Sequence, residues 1–206
     1  MPVKIKICGI TNLEDALAAA DLGADVLGFN FYEKSPRYIS PDDACEIMAV
    51  LPYDTMTAGV FVNADPKIIQ SLDSVLDFVQ LHGDETADYV AGINGGSNVI
   101  KVMRIGPDFD VTEASTYTAD AFLLDSNTRD FGGSGERFDW NIAIRFKEVA
   151  PRFYLAGGLT PDNVAEAIRK VQPYAVDVCS GVESTKGKKD HKKLEAFIRN
   201  ARAAAL

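Results

Sequence analysis

Short apolar runs recur along the chain at residues 3–7, 25–31, 57–62, 77–81, 98–103, 119–124, 152–156 and 174–178, and each predicts a strand. Between them lie amphipathic segments that open on capping residues. Thr11-Asn-Leu-Glu-Asp, Ser40-Pro-Asp-Asp, Asp84-Glu-Thr-Ala and Thr160-Pro-Asp-Asn all carry such a start. A short oxygen-bearing side chain there can accept from a backbone N–H that the first helical turn leaves unpaired. The pattern therefore switches from strand to helix and back eight times.

Strands that are apolar throughout, alternating with helices, predict a parallel sheet covered by helices. Eight such units predict an α/β fold, a closed (β/α)8 TIM barrel of eight parallel strands, with residues 1–206 forming one domain. Most strand starts fall about 20 residues apart, but the intervals after the second and sixth strands are about ten residues longer. The extra segments are Tyr32-Glu-Lys-Ser-Pro-Arg-Tyr-Ile and Ser126-Asn-Thr-Arg-Asp-Phe-Gly-Gly-Ser-Gly-Glu-Arg-Phe. Both follow strand C-termini, the face on which barrels carry their active sites. A tolerated surface insertion is the plainer alternative.

Composition narrows the function. With 206 residues, 47% hydrophobic, the chain can fill a core without disulfides or a structural metal. A formal charge of −9 argues against nucleic acid or an anionic membrane as partner. No stretch reaches transmembrane length, and the N-terminus lacks the apolar core of a secretory signal. Three widely spaced cysteines, Cys8, Cys45 and Cys179, fit a reducing compartment. The expectation is a cytoplasmic enzyme acting on a small molecule, as a monomer or homodimer.

The seventh and eighth strands run into Ala-Gly157-Gly158-Leu and Cys-Ser180-Gly181-Val. Small residues let backbone N–H groups approach an anion, and a helix N-terminus adds a favourable dipole, so the two turns predict a phosphate cradle. Cys8 ends the first strand, where a helix start or nearby cation would pull its pKa below about 8.5 and make it a usable base. Asp125 ends the sixth strand, and its apolar neighbours would favour a protonated general acid. Taken singly, Cys8 also reads as a small buried apolar residue and Asp125 as a cap.

Arg37, in the first long loop, can reach a carboxylate or phosphate, although a surface position is the commoner one. His82 and Asp177, on the fourth and eighth strands, are candidates to line the pocket or to serve as hydrogen-bonded structural groups. Cys45 falls in the apolar periodicity of the second helix and is expected in the core. His191 lies in Lys186-Gly-Lys-Lys-Asp-His-Lys-Lys, which reads as a solvated face. Two histidines and no ligand-spaced cluster predict no catalytic metal.

A set of motifs spans nearly the whole chain: Lys6-Ile-Cys-Gly-Ile-Thr, Gly28-Phe-Asn-Phe with Ser35-Pro-Arg, Gly59-Val-Phe-Val-Asn, Val79-Gln-Leu-His-Gly-Asp-Glu, Leu123-Leu-Asp, Gly132-Gly-Ser-Gly, Leu155-Ala-Gly-Gly-Leu and Ser180-Gly-Val-Glu. In this order they resemble the phosphoribosylanthranilate isomerase family of tryptophan biosynthesis. The resemblance implies an Amadori rearrangement with Cys8 as general base and Asp125 as general acid, without metal or organic cofactor. It implies that Arg37 meets the anthranilate carboxylate, while Gly157, Gly158, Ser180 and Gly181 hold the phosphate. Two positions depart from the family: Cys179 stands where serine is usual, and Glu136 where lysine is common. Fold and cradle alone leave open another sugar-phosphate isomerase or synthase on the same barrel, or a barrel that binds a phosphorylated ligand without turning it over.

Overall fold

A computed structural model describes residues 2–93, 96–106, 109–126 and 138–204. Its eight parallel strands are β1 (Lys4–Cys8), β2 (Val26–Asn30), β3 (Met56–Phe61), β4 (Phe78–Leu81), β5 (Asn98–Ile105), β6 (Ala121–Ser126), β7 (Phe153–Leu155) and β8 (Ala175–Val178). They pair in sequence order, and β8 returns to β1 to close the barrel. Every expected strand is present, shifted by at most a few residues at its ends.

Helices α1 (Leu13–Asp21), α2 (Pro41–Met48), α3 (Pro66–Leu72), α4 (Ala87–Ala91), α5 (Trp140–Val149), α6 (Val164–Val171) and α7 (His191–Ala204) cover the outside. Their starts follow the capping chemistry: Asn12, Ser40 and Thr86 accept from the backbone N–H three residues on. The fifth crossover differs from expectation. It is a 3-10 segment, Val111–Thr116, because Val-Thr-Glu-Ala-Ser-Thr is rich in residues that disfavour an α-helix. Among the described residues no helix is long and apolar enough to cross a membrane.

Side chains alternate along each strand. Ile5 and Ile7 of β1 face the helices in one large cluster with Leu194 and Phe197 of α7. A second cluster, including Val26, Ala58, Ile100, Leu123, Tyr154 and Ala175, fills the barrel interior. Further along the same inward-facing rows the residues become polar: Lys6, Gln80 and Asp177, then Cys8, His82 and Asp125. The apolar plug closes the lower barrel, so the chemistry collects at the strand C-termini.

The lysine-rich segment is not a uniformly solvated face. Strands β9 (Glu183–Thr185) and β10 (Lys188–Lys189) form an antiparallel hairpin that turns at Gly187, whose φ of +81° favours glycine. The hairpin buries Lys189 to 3% exposure. The neighbouring His191 joins Asp15 through Nε2–Oδ1 at 2.8 Å. Cys45, expected in the core, is only half-buried, at the edge of the cluster around Phe61 and Leu72. The long loop expected after β6, with Glu136, lies outside the described residues apart from its ends.

Candidate active site

Cys8 ends β1 and Asp125 is the penultimate residue of β6, and β7 and β8 stand between those strands around the rim. The turns of the expected cradle therefore lie between the expected base and the expected acid.

Around Cys8 the register sets Lys6 against Asp177, and Lys6 Nζ donates to Asp177 Oδ1 at 2.7 Å. Lys6 is completely buried and carries its charge into the barrel only because this carboxylate meets it. Although burial disfavours its charge, Asp177 and then Cys8 hold the ammonium above its ordinary pKa. Burial pushes the Asp177 carboxyl up to about 6, with Lys6 opposing and the charges of Cys8 and Asp125 adding to the rise. Asp177 thus stands within electrostatic reach of both groups.

Cys8 is held well below the usual thiol pKa. The largest cause is a hydrogen bond from the Cys179 thiol; burial opposes it, and Lys6 and Lys189 assist. The Cys179 thiol is raised correspondingly. Lys189 Nζ donates to the Cys8 carbonyl at 2.6 Å and to Glu183 Oε1 at 3.4 Å. Lys6 and Lys189 thus approach Cys8 from two strands.

Arg37 is buried at the mouth rather than on the open surface. Its Nε and Nη2 each donate to Glu183 at 2.8 Å, a bidentate pair that fixes the plane of the guanidinium. Nη1 has no hydrogen-bond partner among the described residues. Gly9 makes room for this arrangement: a β-carbon there would stand 2.8 Å from Arg37 Cδ.

Asp125 Oδ1 accepts from the Ser126 backbone N–H at 2.8 Å, leaving Oδ2 toward His82. His82 Nε2 lies 3.6 Å away, longer than a hydrogen bond, and is buried without a partner among the described residues. The Gln80 side-chain amide faces His82 Nδ1 at 3.3 Å, which leaves Nε2 as the ring nitrogen turned toward Asp125. His82 and Asp125 therefore meet at the mouth.

The cradle rests on backbone geometry. Gly157 and Gly158 have φ of +77° and +68°, values that favour glycine. At Gly181 a β-carbon would stand 1.9 Å from the Leu159 carbonyl oxygen, so the two turns pack backbone to backbone. No described residue hydrogen-bonds the backbone N–H groups of Gly158, Ser180 or Gly181. Asn163 braces the first turn, accepting from Thr160 N and donating to Gly158 O, both at 2.9 Å. Helix α6 starts only at Val164, while a 3-10 turn, Ser180–Val182, begins inside the cradle.

Every site residue expected from sequence thus lies at this rim. Sequence reasoning missed Lys6, Glu183 and Lys189. Lys6 was legible from its two-residue spacing to Cys8 on one strand, whereas nothing local distinguished Lys189 from its neighbours.

The model of the N-(5'phosphoribosyl)anthranilate (PRA) isomerase family matches residues 5–200. The N-(5'-phosphoribosyl)anthranilate isomerase of Trichlorobacter lovleyi is 49% identical over 205 residues, covering 98% of this chain and 99% of that protein. The crystal structure of phosphoribosyl anthranilate isomerase from Thermotoga maritima matches with a TM-score of 0.91 at 46% identity, over 98% of this chain and 99% of the other. A phosphoribosyl anthranilate isomerase in complex with reduced 1-(o-carboxyphenylamino)-1-deoxyribulose 5-phosphate matches at 43% identity with a TM-score of 0.88, over 98% and 99% of the two chains.

Proposed function

The chain belongs to the N-(5'-phosphoribosyl)anthranilate isomerase family of tryptophan biosynthesis, and from that premise we propose that Cys8 is its general base and Asp125 its general acid. The reaction is the Amadori rearrangement of phosphoribosylanthranilate to 1-(2-carboxyphenylamino)-1-deoxyribulose 5-phosphate. The observation that carries the assignment is the order of strands around the rim, with β7 and β8 between Asp125 and Cys8.

In the proposed sequence Asp125 protonates the ribose ring oxygen. The anthranilate nitrogen lone pair assists opening of the ring, giving a Schiff base. Cys8 then removes the C2′ proton, and the resulting enolamine tautomerises to the ketone. A thiol whose pKa Cys179, Lys6 and Lys189 hold low suits the second step, because those partners favour the thiolate that must take the proton.

Gly157, Gly158, Ser180 and Gly181 anchor the phosphate through backbone donors, and Arg37 meets the anthranilate carboxylate through Nη1. Holding both ends of the substrate converts binding energy into orientation of C2′ and the ring oxygen. His82 and Asp177 line the space between. We set this chemistry in a reducing cytoplasm, which returns Cys8 to its reduced form.

Steady-state turnover of freshly generated phosphoribosylanthranilate, followed by its fluorescence, tests the roles. Cys8→Ser and Asp125→Asn should each lower turnover by about two to four orders of magnitude with the fold intact. Near-normal turnover in either variant overturns that residue's assignment.

A further inference from the structure

The second thiol at the mouth poises Cys8 through a hydrogen bond but takes no proton from the substrate in the proposed isomerase chemistry. The register of β1 and β8 ends with Ile7 opposite Val178, Cys8 and Cys179 are the next residues on the two strands, and their thiols are close enough to share a hydrogen bond. Lys6 and Asp177, two residues earlier on the same face, already touch side chain to side chain. Neighbouring strands run about 4.8 Å apart, within the roughly 4.4 to 6.8 Å that a disulfide needs between α-carbons.

The local packing agrees. Cys179 Sγ lies over Gly9, the residue after Cys8, so closely that a β-carbon at Gly9 would stand 2.8 Å from it. Lys189 Nζ spans the pair, 2.6 Å from the Cys8 carbonyl oxygen and 4.0 Å from Cys179 Sγ. Both cysteines are only half-buried at the open end of the barrel, within reach of a small solute.

We propose that Cys8 and Cys179 form a dithiol modification site that reacts with hydrogen peroxide to give a reversible disulfide, which switches the isomerase off. The Cys8 thiolate attacks one peroxide oxygen; the S–O bond forms as the O–O bond breaks, and the departing hydroxide is protonated to water. Cys179 then attacks the Cys8 sulfur; the S–S bond forms as the S–O bond breaks, and hydroxide leaves with the Cys179 proton as a second water. In sum, two thiols are oxidised by two electrons, one peroxide is reduced, and two waters are released.

The site is ordered for that sequence. The cations beside Cys8 favour its thiolate, so it is the sulfur oxidised first. The hydrogen bond to the Cys8 thiolate, burial and the Cys8 charge hold Cys179 protonated; conversion of Cys8 to the neutral sulfenic acid removes the thiolate's share, while Lys189 and Arg37 continue to favour ionisation. The resolving thiol is released by the first oxidation. Serine in place of Cys179 would leave a sulfenic acid with no partner, open to irreversible over-oxidation.

The loss of activity rests on Cys8 being the base, but the bond itself does not, so the two are read separately. The purified protein is treated with hydrogen peroxide, its remaining thiols are alkylated, and an unreduced digest is mapped by mass spectrometry alongside turnover before and after dithiothreitol. The expected result is a linked Cys8–Cys179 peptide, alkylation at Cys45 alone, turnover lost in proportion to the linked fraction, and full recovery with dithiothreitol. Cys179→Ser should give no link, should carry Cys8 to the sulfinic acid, and should not regain its own starting activity. Cys8 consumed without the linked peptide, or a link through Cys45 or between molecules, overturns the proposal. A Cys8–Cys179 link with undiminished turnover keeps the disulfide but overturns the switch and the assignment of the base.

Discussion

Cys8 can act as a base only in its thiolate form, so the residues that set its charge set the pH range of the enzyme. Its working fraction falls as pH drops through its pKa, which the Cys179 hydrogen bond, Lys6 and Lys189 hold low. Removing a cation raises that pKa. Lys189→Met keeps most of the buried stem and should move the acidic limb of the kcat/KM profile upward by about one pH unit. A limb that stays in place would show that Lys189 only supports the hairpin. Cys8 and Asp125 were readable as candidates because each ends an apolar run, where a polar residue must face either the mouth or a cap. Lys189 was not readable, because a lysine among lysines looks solvated until the turn at Gly187 folds it inward. Glu183 becomes intelligible only once Arg37, 146 residues away in sequence, is placed beside it.

Strands of unbroken apolar character were legible in the chain because both of their faces are covered. The elements that were not legible break that rule. The hairpin Glu183–Thr185 and Lys188–Lys189 is made of charged and polar residues, and its pairing depends on a turn rather than on an apolar face. The fifth crossover lacks the helix formers that would have extended it. Helix α6 illustrates an element serving the site indirectly. Asn163, at its cap position, spends its side chain on the preceding loop, accepting from Thr160 N and donating to Gly158 O. The helix thereby holds the glycine turn open toward an anion. Asn163→Ala removes both bonds at a residue only 3% exposed and costs the cradle on the order of 1.4 kcal/mol in preorganisation. KM for phosphoribosylanthranilate should rise about tenfold with a smaller change in kcat, and inorganic phosphate should inhibit correspondingly less. Equal losses in kcat and kcat/KM would place the defect in chemistry rather than in anchoring.

At the scale of the whole molecule, the formal charge of −9 demands local attraction for a substrate with two anionic groups. The buried cations at the mouth are largely committed: Lys6 to Asp177, and Arg37 and Lys189 to Glu183. Attraction for phosphate therefore falls mainly to backbone N–H groups, whose orientation depends on the barrel remaining closed. Closure joins the two ends of the chain. Arg202 of α7 donates to Val3 O at 2.8 Å and to Asp25 Oδ2 at 2.7 Å, while Asp25 also accepts from Lys4 Nζ and Ile5 N, each at 2.8 Å. Burial opposes the charge of Asp25, but the bonds from Lys4, Ile5 N and Arg202 hold its pKa below the ordinary 3.8. A depressed folded pKa contributes stability above the unfolded value, and that contribution is lost as pH falls through the folded value. Lys4 and Arg202 are 40% and 36% exposed, so solvent screening limits the contribution to about 1–2 kcal/mol. Asp25→Asn should lower unfolding stability in urea by that amount at neutral pH, and the gap between variant and parent should close in acid as Asp25 itself becomes neutral. A gap of constant size from neutral pH into acid would assign the loss to packing at the seam instead of to the carboxylate that joins its ends.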